Sequence, residues 1–145
     1  MAILEKQQIG AGVRVWKSER GQLRTERPAR EVAIFRATGH LEVAFVELFE
    51  EVVLGAVKVG RPHLFWDGDA MTGYDTEFRQ RIGEFCVRVK PRVMSMNVFT
   101  PNRFVAMGAA VINIWVGDFF TIFRDRASFE DCLQDILPAS SRPRP

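Results

Sequence analysis

Cysteine and histidine are scarce, with two of each in 145 residues. Cys86 and Cys132 stand in apolar, helix-like stretches with no C-x-x-C spacing and no nearby histidine, so no zinc site is expected and both thiols are predicted free and buried. His40 begins a helical pattern and His63 a strand, each without a Cys, Ser or carboxylate at a catalytic spacing, and structural roles follow for both. The chain also lacks a glycine-rich phosphate loop, a G-x-S-x-G elbow and a recognisable set of acidic metal ligands. Neither catalytic residues nor a cofactor nor a metal is therefore expected. The longest apolar stretch, between Arg103 and Asp118, falls short of the ~18 residues a membrane span needs. The opening MAILEKQQIG is charged at its fifth and sixth residues and has no apolar run before small cleavage residues, so it does not read as a signal peptide, and a cytoplasmic protein is expected. Charge of one sign is not in excess either. The net +2 disappears when Arg142 and Arg144 of the tail are set aside, which leaves 18 basic against 18 acidic residues, and no concentrated basic surface for nucleic acid is expected.

What the chain does have is an ordinary globular balance, 47% apolar and 26% charged, at the commonest size for one domain. Residues 1–137 are expected to form that domain, and the tail PASSRPRP, 138–145, to be disordered. Along it, Gly12–Lys17 reads as a strand, Ser18–Gly21 as a turn and Leu23–Glu26 as a return strand that Pro28 interrupts. Glu31–Ala37 reads as a further strand broken by Thr38-Gly39. From His40 to about Lys58, Leu41, Phe45, Leu48, Phe49, Val52 and Val53 recur on one face of a helix.

His63–Trp66 is an apolar strand that stops at Asp67-Gly68-Asp69. Tyr74, Phe78, Ile82 and Phe85 repeat at helical spacing behind a Thr72-x-x-Asp75 cap. Val93–Phe99 reads as a strand, and Thr100-Pro101 as the cap and first position of a third helix. That helix, carrying Phe104, Val105, Met107, Val111, Ile112, Ile114, Trp115 and Val116, has almost no polar face and is expected to be covered nearly all round. Phe119–Phe123 returns as a strand and Ala127–Leu137 closes as a fourth helix. The alternation predicts a single α/β domain with a mixed, mostly parallel sheet, antiparallel opening strands and about four helices.

The stretch Leu64–Phe85, LFWDGDAMTGYDTEFRQRIGEF, resembles the central segment of bacterial STAS domains, in particular the stand-alone anti-sigma-factor-antagonist-like (SpoIIAA-like) branch. The likeness extends to the apolar 104–116 segment, the FFTIF strand and the Asp125-x-x-x-Phe129 helix start, and so covers most of the chain. It implies a STAS-like fold and a non-enzymatic protein-interaction module in bacterial signalling. Spacing from Asp67 makes Thr76 the implied phosphoacceptor, with Asp67, Asp69, Tyr74 and Asp75 in a partner-binding loop; where the family has a glycine-containing stretch, this chain has Glu77-Phe78-Arg79. A phosphate there would be favoured by the helix dipole and opposed by Asp75 and Glu77. The plainer reading makes Thr76 an exposed first-turn residue and the acids solvated loop side chains.

The apolar helix leaves its own alternatives. Phe104, Met107, Val111 and Trp115 belong to the core against the sheet and final helix, to a homodimer contact with a second copy, or to a pocket for an apolar ligand such as a lipid beside the helix Leu41–Val53.

Overall fold

The computed structural model describes residues 5–138. The expected tail lies outside them from residue 139 on, as do residues 1–4. Among the described residues seven strands form one sheet whose spatial order equals their order in the chain: β1 (Glu5–Gln8), β2 (Val13–Lys17), β3 (Gly21–Ala29), β4 (Val32–Leu41), β5 (His63–Tyr74), β6 (Ser95–Phe99) and β7 (Phe120–Phe123). The first four pair antiparallel; β4–β5, β5–β6 and β6–β7 are parallel. Among the same described residues four helices join or follow the parallel strands: α1 (Val46–Val57), α2 (Thr76–Val89), α3 (Arg103–Val116) and α4 (Arg126–Ile136).

Side chains alternate across the sheet with period two, which sorts the core into two layers. Leu64, Trp66, Met96 and Val98 face the large layer under α1, α2 and α3, where Phe35, Phe49, Trp66 and Phe85 meet in tilted and edge-on ring contacts. Phe65 and Phe99 point the other way and meet Phe129, Leu133 and Leu137 of the α4 segment. α3 therefore packs on the sheet and beside α2, while α4 belongs to the core layer on the opposite side, so the alternative in which α3 is covered by the final helix does not describe this core.

Several expected boundaries move for physical reasons. Pro28 does not end β3, because the β3–β4 register shifts between Glu26 and Ala29 and the irregularity takes in the residue without an amide hydrogen. Thr38-Gly39 does not end β4. Gly39, at φ +74°, opposes Gly21 across β3, where two backbones approach too closely for a side chain, and the strand continues to Leu41. A 3-10 turn (Val43–Phe45) then leads into α1, which begins at Val46 rather than His40. β1, Glu-Lys-Gln-Gln, is exposed along its length and carries no apolar alternation that could have marked it.

Candidate functional site

The Asp67–Tyr74 segment is not a loop. β5 runs on through it for twelve residues, pairing with both neighbours as far as Asp67 and with β4 alone beyond, up to Leu41↔Tyr74. Asp67 itself is buried, 7% exposed, with its carboxylate turned to partners within the chain. Its carboxylate accepts from Arg36 at 2.7 Å, from Arg126 at 3.2 Å and from the backbone amide of Asp69 at 3.1 Å. Arg126 also reaches Asp69 at 3.0 Å and Glu130 at 2.9 Å, and its guanidinium lies over the Phe99 ring. The hydrogen bond to Asp69, followed by the charge of Asp67, raises the Arg126 pKa above its ordinary value. This cluster ties β4, β5 and the start of α4 together.

At the far end of β5 the chain delivers Tyr74, Asp75 and Thr76 to the first turn of α2. Asp75 occupies the N-cap position with extended backbone, yet its side chain caps no amide. It is taken instead by His40 Nε2 at 2.6 Å, with an Arg20 guanidinium nitrogen 3.9 Å away. The cap expected at Thr72 is thus three residues further on. Thr76, the first residue of α2, is exposed, as is Glu77. Tyr74 is stacked on Phe104 of α3, with ring centroids 5.2 Å apart and planes 20° apart. Gly108, one turn along α3, leaves the room that the Tyr74 phenol occupies.

α3 is capped by Asn102, not Thr100: its side-chain oxygen accepts from the amides of Phe104 and Val105. Gly117 ends it in the left-handed conformation. Helical periodicity splits its apolar residues into two sets. Val105, Gly108, Ala109, Ile112 and Val116 are buried. Phe104, Met107, Val111, Ile114 and Trp115 are 56%, 67%, 51%, 81% and 54% exposed. The helix is therefore half covered within the chain. All four of the residues expected on one surface, Phe104, Met107, Val111 and Trp115, are on the exposed side, and that expectation omitted Ile114, the most exposed of the set. Trp115 rests over Gly83 of α2, whose missing side chain accepts the ring.

A cavity of about 60 Å³ lies beneath α2 and α3, walled by Trp66, Met71, Phe78, Ile82, Val105 and Ile112 among others. It opens on the buried side of α3, so Phe104, Met107, Val111 and Trp115 do not line it. Its volume is far below the ~300 Å³ at which small-molecule sites begin. Among the described residues no group of His, Cys, Asp and Glu could hold a metal ion, and no helix is long and apolar enough to cross a membrane. Cys86 is buried in α2, where burial pushes its thiol up to about 12. Cys132 is only half-buried, with its pKa raised by burial and then by Asp135. His63 bonds Ser95 Oγ through Nδ1 at 2.7 Å, and burial lowers its pKa against an opposing pull from Glu31.

No family model matches the sequence, and no curated protein matches it significantly. Solved structures are similar at the level of fold. An uncharacterized protein of the DUF3478 family from Shewanella loihica PV-4, described as having a SpoIIAA-like fold, superposes with a TM-score of 0.51 at 12% identity over 91% of this chain and 93% of its own. The anti-sigma factor antagonist SpoIIAA in its unphosphorylated form superposes with a TM-score of 0.59 at 14% identity over 80% of this chain and 99% of its own. The chain has a STAS-like, SpoIIAA-like α/β fold.

Proposed function

We propose that the chain is a non-enzymatic protein-interaction module of bacterial signalling, acting in the cytoplasm, whose contact surface is the outer side of α3 together with the first turn of α2. The observation that carries this reading is the run of five large apolar side chains left in water along α3, starting at Phe104 where it stacks on Tyr74. Monomers rarely leave a contiguous apolar patch of several hundred Å² uncovered unless something docks there. The SpoIIAA-like fold supports the same class of function, since one structural neighbour is by its description an anti-sigma factor antagonist. Thr76 is the phosphoacceptor in this reading. It is exposed at the amino end of α2, two residues from Tyr74, where a phosphate would change the charge of the contact surface at its rim. Tyr74 and Asp75 contribute to the rim; Asp67 and Asp69 act behind it, through Arg126. An apolar ligand is the less favoured occupant, because the cavity under α3 is small and the exposed stripe is convex helix surface rather than a pocket.

Cross-linked affinity capture from cell extract tests the reading. Wild-type chain is expected to recover a partner that Val111→Asp loses and Thr76→Glu weakens, with both variants folded by circular dichroism. Recovery of the same proteins by all three chains would sink it.

A further inference from the structure

We infer that the partner of the α3 stripe is a second copy of this chain, with the two α3 helices lying antiparallel across a two-fold axis near Val111; this rests on the interaction reading above. The exposed positions Phe104, Met107, Val111 and Ile114 are separated by three, four and three residues. That is the spacing of a coiled-coil seam, which suits another helix and is narrower than the broad face a bilayer or a sheet would take. Trp115, beside Ile114, and Val87 of α2, one turn beyond the Gly83 that supports Trp115, widen the seam on one side.

Charge then selects the partner and the direction. Between Arg103 and Asp118 α3 itself carries no charged residue, so its own charges at the ends of the stripe are the Arg103 cation at the start and the Asp118 anion just past the end, where the Lys90 ammonium from the end of α2 also sits on the Val116 and Gly117 carbonyls at 3.2 and 2.7 Å. Among the described residues neither forms an ion pair within the chain; Asp118 only accepts from Asn113, at 3.3 Å. A second α3 running antiparallel, with Val111 opposite Val111, brings Arg103 of each copy to Asp118 of the other and sets Met107 against Trp115. A parallel pair would instead bring the two Arg103 cations together at the start of the stripe. The surface required is also close to hand. The five side chains leave on the order of 500 Å² of apolar area in water, well over half of the ~800 Å² per partner in a standard interface. The interface is self-complementary, as a two-fold contact must be.

Sedimentation equilibrium of the full chain over a concentration series is expected to show a monomer–dimer equilibrium that Val111→Asp abolishes. Ile114→Lys, at the most exposed position, is a second disruption with little chance of unfolding the domain, and is expected to do the same. In a Cys132→Ser background, Val111→Cys is expected to oxidise to a covalent dimer because the two thiols meet at the axis, whereas Phe104→Cys forms no inter-chain disulfide. Equal cross-linking at both positions would overturn the antiparallel arrangement. A wild-type chain that remains monomeric throughout would overturn self-pairing, and the extract experiment would then decide separately whether another protein docks on the stripe.

Discussion

Asp67 offers a sharp test of what holds the two faces of the sheet in register. Replacing it by alanine removes a carboxylate that is 7% exposed and leaves Arg36, Arg126 and the Asp69 amide without their shared acceptor. Breaking a buried ion pair by deleting one member costs about 3–5 kcal/mol, because the survivor is stranded out of water. Here the survivors are not stranded. The Arg36 and Arg126 side chains keep 36% and 43% of their exposure and can recruit solvent, and Arg36 retains Glu26 while Arg126 retains Asp69 and Glu130. The expected loss is therefore about 2–3 kcal/mol, below the fully buried case. For a domain of this size that is a fall in Tm of roughly 5–10 °C. Urea denaturation followed by tryptophan fluorescence measures it as a lower midpoint with an unchanged slope. Asp67→Asn, which keeps the shape and one acceptor oxygen, is expected to lie between alanine and wild type. A loss under about 0.5 kcal/mol for Asp67→Ala would mean that the cluster is a solvated surface network, and the account of β5 given above would fail.

Three further outcomes follow from the same structure. Gly39→Ala forces a side chain onto a backbone at φ +74° and against the Arg20 carbonyl, so a loss of about 2 kcal/mol or more is expected in the same denaturation assay; a neutral result would contradict the close β3–β4 approach. With its thiol pushed up to about 12 by burial, Cys86 is expected to resist a thiol reagent at pH 8 in the native protein and to react on denaturation, leaving Cys132 as the one site titrated under native conditions; prompt modification of two thiols would refute this. His63 has its pKa lowered by burial in the folded chain, so the unfolded chain binds more protons just below the ordinary value of about 6.5; stability is expected to fall as pH drops from there, and His63→Gln to lessen that fall in thermal melts at stepped pH.

The parts of this fold written in local periodicity were legible, and the parts written in distant pairing were not. The apolar repeats placed α3 and α4 within a residue or two and marked the buried face of α2, though not its ends, and the strand–helix alternation predicted the mixed, mostly parallel sheet. The reach of β5 was missed because Asp67-Gly68-Asp69 has the composition of a turn. The groups that let Asp67 stay inside a strand, Arg36 and Arg126, lie 31 and 59 residues away. Asp75 likewise reads as a helix cap from its neighbours, while its actual partner, His40, is 35 residues distant. In α3 the uncharged run correctly marked an unusual helix, but a sequence without a polar face cannot say which half the chain itself covers. The buried half is distinguished by small residues, Gly108 and Ala109, set against Tyr74 and the sheet, and that signal was present and unread.

A sheet whose strands stand in space in the order of the chain has a kinetic meaning. Each new strand closes onto the one just before it, so the chain can build the sheet from β1 to β7 without any strand waiting for a distant mate. Loop-closure entropy is paid in small instalments, the largest being the helical crossovers between parallel strands. α4 is the exception. Alone among the helices it must return across β5 and β6 to seal Phe65 and Phe99 on the second side. Until the last dozen residues of the domain arrive, those rings face water, and α4 docking is the step that ends the exposure.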